Sequence, residues 1–563
     1  MDDGQSAKRA RTAAAACFPA GLLASGDERG RAYRAAEPFP HHSIAPFCAE
    51  ELLRGVREEL VGRLHFTHKE TDIFKYHQSG DLANLDGLPA AEQARLPCLR
   101  RLRDAIYSAE FRAFVSAVTG CGPLSGSRTD MSTNRFKPGD HLLLHDDAIG
   151  DRRVSYIIYL PDPDAREWTP ADGGHLELYP RESRESWAPA ARPACRVPPR
   201  WNQMVLFVVH PGQSHHSVEE VCAGERVSIQ GWFHFPQPGE PGYAPDQMQR
   251  AWAGGAESTL SQIAARAQRR HASLPPFAPA PAPAQGPGAP ERFADSAPLA
   301  RFVNAEYLDP EIMRQAADRF ADDSHISLAA FLNEPTAAAL ERALREADAQ
   351  DGIGPDRHRI PAHGTGESGP WSAAGPPVVR RYLRLGDAAA AAGAPPDAAA
   401  RLLAALRDEL FATPAFARWL AAVTGLALGA RRGSVRRFRP GLDYTLASPA
   451  GDDAPVLDAV LCLAARPAAW VDGTVGGYHC YLDAGSDDDE ASNDGSVYRA
   501  TAGDDNDAVL LTNPAAWNTL CLAMREPGVV HFVKYVSAAA PGSRWDVSYE
   551  FQISEEEDGD DDD

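Results

Sequence analysis

His145, Asp147 and His216, with Arg226 ten residues beyond the last of them, are the residues whose types and spacing could do chemistry in this chain. Two imidazoles and one carboxylate make the 2-His-1-carboxylate set that grips one face of Fe(II) and leaves positions open for a cosubstrate and O2. On an extended segment His145 and Asp147 point the same way, because residues two apart share a strand face, and Asp146 between them turns away to serve structure. The third ligand is a choice between His215 and His216. His216-Ser217-Val218 matches His531-Phe532-Val533 later in the chain, which favours His216. Arg226-Val227-Ser228 then places a guanidinium and a hydroxyl on one face, where both can reach one carboxylate of a dicarboxylic acid. These residues predict an oxygenase that uses Fe(II), 2-oxoglutarate and O2. A zinc hydrolase fits less well, since there is no His-Glu-x-x-His and Arg226 would have no task. Tyr159, fourteen residues past His145, could by spacing alone equally belong to the core.

The elements that must position these residues occur twice. Leu102-Arg103-Asp104, Ala117-Val118-Thr119-Gly120 and Arg135-Phe136-Lys137-Pro138-Gly139 are answered by Leu406-Arg407-Asp408, Ala422-Val423-Thr424-Gly425 and Arg437-Phe438-Arg439-Pro440-Gly441. Trp168 with Gly173-Gly174 and Trp201-Asn202 recur as Trp470 with Gly476-Gly477 and Trp517-Asn518. Matches in the same order mark a duplication. Each half opens on helical patterns, among them 52–64, 99–118 and 399–423. Strand patterns follow at 154–160, 175–179, 204–209 and 227–235, and again at 456–463, 519–524 and 547–553. This order predicts an α+β, mainly β fold: two double-stranded β-helix (jelly-roll) domains, each backed by N-terminal helices. The expected division is a flexible N-terminal segment over 1–39, a catalytic domain over 40–240 and a Pro/Ala-rich linker region over 241–300. A second, non-catalytic domain over 301–554 and an acidic tail over 555–563 complete it. The second copy is expected to be inert, because alignment on Arg-Phe-x-Pro-Gly sets Ala447 against His145 and Pro449 against Asp147.

Composition narrows the class. Hydrophobic residues are 44% of 563, enough for large cores, and single cores rarely grow past roughly 250–300 residues, so more than one domain is expected. A net charge of −22 argues against non-specific nucleic-acid binding, which depends on neutralising phosphates. Much of that charge lies in the run 487–490 and the tail, both read as solvated. Nine cysteines without a C-x-x-C pair suit a reducing compartment, and no stretch reaches the roughly 20 apolar residues of a membrane span. Cys17, Pro19 and the opening Asp2-Asp3 argue against reading 12–24 as a leader. Lys8-Arg9-Ala10-Arg11 allows a nuclear address, so a nuclear and/or cytoplasmic location is expected.

Longer stretches carry a resemblance. Gly139-Asp140-His141-Leu142-Leu143-Leu144-His145-Asp146-Asp147, Tyr156-Ile157-Ile158-Tyr159-Leu160, Gly173-Gly174-His175-Leu176-Glu177-Leu178-Tyr179 and Arg226-Val227-Ser228-Ile229-Gln230-Gly231-Trp232-Phe233-His234 resemble the eukaryotic ribosomal prolyl 3-hydroxylases. The resemblance spans about 40–553. It implies that His145, Asp147 and His216 bind iron, and that Tyr159 joins Arg226 on the tail carboxylate of 2-oxoglutarate. It also implies a proline of a small-subunit ribosomal protein near the decoding centre as substrate, with effects on translation accuracy or termination. L-Ascorbate is the expected reductant.

Overall fold

A computed structural model describes residues 16–183, 185–252, 276–279, 296–355, 359–386, 397–447, 454–483 and 509–554. The Lys8-Arg9 cluster, most of the Pro/Ala tract, Pro449, the acidic run at 487–490 and the tail lie outside these residues. The chain divides into two compact units, 1–263 and 264–563. Among the described residues no helix is long and apolar enough to cross a membrane.

The first unit carries β1 (His41–Ile44), β2 (Thr67–Glu70), β3 (Phe74–Gln78), β4 (Thr129–Phe136), β5 (His141–His145) and β6 (Arg152–Tyr159). β7 (Leu176–Leu178), β8 (Cys195–Val197), β9 (Gln203–Val208), β10 (His216–Val218) and β11 (Arg226–His234) complete it. They form one sheet in the order β1-β9-β6-β11-β4-β3-β5-β10-β7-β8, with β2 beside β3. Strand alternation gives this sheet two apolar faces. Val154, Tyr156, Ile158, Val227, Ile229 and Phe233 pack against the helices. Ile157, Tyr159, Val205 and Phe207 instead meet Leu176 and Leu178 from the far end of the sheet. The sheet therefore curls over on itself, and the chemistry-bearing residues sit inside the curl.

Helices cover the outer face. Leu52, Val56 and Leu60 of Glu50–Arg63 are buried, each worth about 1.5–3 kcal/mol of transfer free energy, while Leu64 lies just past the helix end. The single helix expected over 99–118 is two, Pro97–Ile106 and Ala109–Thr119. Ser108 caps the second by accepting from the Phe111 amide at 3.2 Å. The stretch 399–423 breaks in the same place, at a π-helical turn over Leu406–Phe411, and Thr413 caps Pro414–Thr424. Apolar periodicity runs straight through both breaks and hid them. The flexible segment expected over 1–39 is also corrected for 16–39: Cys17, Phe18, Leu22 and Tyr33 are buried, and Phe18 stacks on Phe111 at 4.9 Å. Tyr33 accepts from the Val208 amide at 3.1 Å, tying helix Gly26–Ala35 to β9.

Among the described residues the second unit holds an eight-stranded sheet and a three-stranded one, with helices of similar extent. Arg544–Ile553 lies between Val456–Ala464 and Leu428–Phe438 in the larger. The repeated Trp-Asn has the same job in both units. Asn202 and Asn518 adopt φ 57° and 49°, and their side chains bond the backbone of Cys48 and of Leu332 at 2.8 Å.

Candidate active site

β5 and β10 pair so that His145 and His216 are directly opposite, with ring centroids 4.2 Å apart. Each ring places Nδ1 2.8 Å from the carbonyl two residues before it, Leu143 for one and Ser214 for the other. Donation there fixes the tautomer and leaves Nε2 bare on both rings, the arrangement a metal-ligating histidine needs. Asp147 reaches the same point by another route than expected. β5 ends at His145, and Asp147 follows in the left-handed region at φ 61°, so a turn and not strand alternation brings its carboxylate round. A short polar side chain makes that backbone tolerable.

The Asp147 oxygens lie 3.5 Å from Nε2 of His145 and 3.5 Å from Nε2 of His216. All three ligand atoms fall within 4.8 Å of one another, so one first-row metal ion could sit about 2 Å from each. His215 does not join this group. Among the described residues no other cluster has such a donor set. Electrostatics prepare the point for a cation. Burial pushes the Asp147 carboxyl up, but the charges of His216 and His145 more than reverse it, and its pKa falls below the ordinary carboxylate range. Burial pulls His145 down, yet its hydrogen bond to and the charge of Asp147 hold it above the ordinary 6.5. His216 is drawn down to about 4 by burial and by His145.

Two further residues position Asp147. The Ser155 hydroxyl donates to its Oδ2 at 2.9 Å. Asp146, turned away as expected, accepts from the amides of Ala148 and Gly212 at 3.2 and 3.0 Å and pins the turn. Ser155 was not anticipated, although it shares a strand face with Tyr159 four residues on. Four neighbouring histidines have partners elsewhere: His175 with Glu219 at 2.6 Å, His234 with Asp151 at 2.9 Å, and His141 and His210 with backbone carbonyls.

Arg226 begins β11 and is 1% exposed. Its Nη1 donates to Ser228 Oγ at 3.1 Å, and its guanidinium lies 4.9 Å from the Phe136 ring and 5.0 Å from Tyr159. Tyr159 pairs in register with Ser228. Nε and Nη2 of Arg226 and the Tyr159 hydroxyl are buried without a hydrogen-bond partner, and among the described residues no carboxylate pairs with this arginine. Burial lowers the pKa of Arg226 and raises that of Tyr159. Orphaned donors of this kind are costly, so the pocket fits an anionic group of a cosubstrate. Apolar packing runs from here to the metal-binding point: Tyr159 clusters with Ile157, Leu176, Leu178 and Phe207, and the Phe207 ring lies 4.8 Å from that of His216.

Glycine makes room for the arginine. A Cβ on Gly174 would lie 3.1 Å from Val221, 3.2 Å from the Arg226 stem and 3.3 Å from Trp168, and its φ is +68°.

Residues 131–234, which contain all six candidate residues, match the 2OG-Fe(II) oxygenase superfamily. Residues 294–560 match the family described as oxoglutarate and iron-dependent oxygenase degradation C-term. The chain is 37% identical over 526 residues to the prolyl 3,4-dihydroxylase OGFOD1 of Ostreococcus tauri, covering 91% of this chain and 94% of that one. It is 33% identical over 199 residues to the prolyl 3-hydroxylase OGFOD1 of Xenopus laevis, covering 35% of each. Among solved structures, a Pseudomonas putida prolyl-4-hydroxylase matches at 23% identity over 38% of this chain and 98% of that one, with a TM-score of 0.25.

Proposed function

The chain belongs to the OGFOD1 family of prolyl hydroxylases, 2-oxoglutarate- and Fe(II)-dependent oxygenases, and from that premise we propose that it hydroxylates C3 of a proline in a small-subunit ribosomal protein. The observation that carries the site is the pairing of a three-residue cluster with a buried arginine whose Nε and Nη2 have no partner among the described residues. We assign His145, Asp147 and His216 to Fe(II), and Arg226, Ser228 and Tyr159 to the tail carboxylate of 2-oxoglutarate. The ribosomal substrate rests on the resemblance of the four sequence stretches, and L-ascorbate is proposed as reductant. The division at 40–240 and 301–554 into two double-stranded β-helices is proposed on the duplicated motifs.

Bound together, Fe(II), 2-oxoglutarate and O2 supply the oxidising equivalents, and the keto acid leaves as succinate and CO2. The protein's own task is placement. The Leu143 and Ser214 carbonyls keep both Nε2 atoms deprotonated toward the metal. Ser155 holds one Asp147 oxygen and fixes the carboxylate's orientation. Arg226, Ser228 and Tyr159 grip the far end of the cosubstrate, so its reactive end presents at one angle. The apolar side chains between these points exclude water from the reaction.

Intact-mass analysis of the candidate ribosomal protein, incubated with enzyme, Fe(II), ascorbate and 2-oxoglutarate, tests the proposal. A gain of one oxygen on a proline, absent without 2-oxoglutarate and absent with Asp147→Ala, is the expected result. A gain of two favours the dihydroxylation for which the Ostreococcus tauri relative is named. Succinate formation with no gain discards the ribosomal substrate.

A further inference from the structure

Strand register makes the two units comparable residue by residue. In the first, Arg226 pairs with Phe136, and Ser228 with Asn134 and Tyr159. In the second, Arg544 pairs with Phe438, and Asp546 with Arg436 and Cys462. The guanidinium of Arg544 lies 5.2 Å from the Phe438 ring, as that of Arg226 lies 4.9 Å from Phe136. A Cβ on Gly477 would meet Trp470 at 2.7 Å and the Arg544 stem at 3.5 Å, repeating the packing at Gly174. The second unit therefore keeps the pocket and changes what lines it: Asp546 for Ser228, Arg436 for Asn134, Cys462 for Tyr159.

Those changes bring a carboxylate into the pocket from within. Asp546 is 0% exposed and accepts from Nε and Nη2 of Arg436 at 2.7 and 2.8 Å, and from Nη1 of Arg544. One carboxylate held by two guanidiniums is how proteins bind carboxylate ligands. Among the described residues the first unit has the guanidinium and no carboxylate paired with it. The metal end is altered to match. Asp458 pairs with Glu550 where Ser155 pairs with Trp232, and its Oδ2 lies 3.0 Å from Nδ1 of His531, the counterpart of His216. Arg525 donates to the same Asp458 at 3.2 Å.

We infer that Asp546 is an internal ligand: its carboxylate fills an inherited carboxylate-binding pocket in the second unit, and that pocket, relieved of Asp546, binds small carboxylate ions from solution. The comparison rests on reading Arg226 as a carboxylate anchor, while the clamp on Asp546 stands on its own geometry. Two guanidiniums face one carboxylate, and Nε of Arg544 is buried without a partner, so the pocket is selective for anions with or without Asp546.

The test uses the full chain with Arg226→Ala, which silences the first pocket. Adding Asp546→Ser leaves two buried guanidiniums uncompensated and should lower the unfolding midpoint by roughly 5–15 °C. Sodium acetate or succinate at tens of millimolar should restore most of that loss, and sodium chloride at equal ionic strength should not. No loss, or equal restoration by chloride, overturns the inference. Should that double variant fail to fold, Asp546→Asn, which keeps the shape, is read in the same way. Equilibrium dialysis of 2-oxoglutarate needs no destabilised variant: the unaltered chain should bind one per chain, and Arg226→Ala should bind it roughly 10–100-fold more weakly. Binding that Arg226→Ala leaves undiminished and Arg544→Ala abolishes shows an open second pocket and overturns the inference. Undiminished binding in both variants instead counts against the Arg226 assignment.

Discussion

Arg226 is the residue whose surroundings most directly specify a ligand. It is buried and donates to Ser228, while among the described residues its Nε and Nη2 and the Tyr159 hydroxyl it faces have no partner. A charged hydrogen bond contributes about 1.5–3 kcal/mol. Arg226→Ala should therefore raise the KM for 2-oxoglutarate by roughly 10–100-fold and leave kcat less affected, as read from succinate formation. An unchanged KM would move the cosubstrate contact elsewhere. A second prediction concerns protons. Metal binding needs His145 neutral, and Asp147 holds its pKa above 6.5. Fe(II) affinity should be full above that raised pKa and fall as pH drops through it, with a proton released on binding; a titration flat from pH 8 to 6 would contradict this. The cluster of His145, Asp147 and His216 was legible in the sequence because these types are rare together and the repeat separates His216 from His215. The geometry of Asp147 was not legible, since a left-handed turn leaves no mark on alternation. Ser155 was overlooked because a lone serine in an apolar strand carries no signal until its partner is known.

At the scale of elements, the turn through Gly173-Gly174, just before β7, packs Gly174 against the Arg226 stem, 3.2 Å from where a Cβ would be. Gly173 cannot change, since a Cβ there would meet the Glu220 carbonyl at 2.0 Å. Gly174→Ala is milder. Its side chain would press on Val221, Trp168 and the Arg226 stem from a backbone that resists a Cβ, at a cost of about 1–3 kcal/mol. The expected outcome is a lower unfolding midpoint together with a higher KM for 2-oxoglutarate. A fall in stability alone would separate the turn from the cosubstrate pocket. The strands that were read from alternation agree to within three residues, because their two faces pack against different cores. Helices were read too long for the opposite reason: Ser108 and Thr413 start new helices by capping them, while the apolar pattern continues unbroken.

Across the whole molecule the duplication acts as an internal control. Asn202 and Asn518 keep one role, and so do Arg226 and Arg544, while Ser228, Asn134 and Tyr159 are answered by Asp546, Arg436 and Cys462. Ser228→Asp transfers one such difference into the first unit. The new carboxylate should pair with Arg226, weaken 2-oxoglutarate binding by roughly 100-fold or more through like-charge repulsion, and leave the unfolding midpoint unchanged or raised. Retained binding would show that the two pockets are not equivalent. That Ala447 stands where the first copy has His145 was legible from the shared Arg-Phe-x-Pro-Gly. The ion pairs of Asp546 and Asp458 were not, because they join strands distant in sequence.

The uncompensated guanidinium of Arg226 has a consequence beyond catalysis. A group that binds the folded state alone stabilises it by mass action, so the concentration of 2-oxoglutarate sets how much of the chain is open at any moment. Where the keto acid is scarce, a larger fraction is exposed to proteases, and the amount of enzyme should follow the supply of its own cosubstrate. A single unpaired cation would then couple central metabolism to the lifetime of the protein.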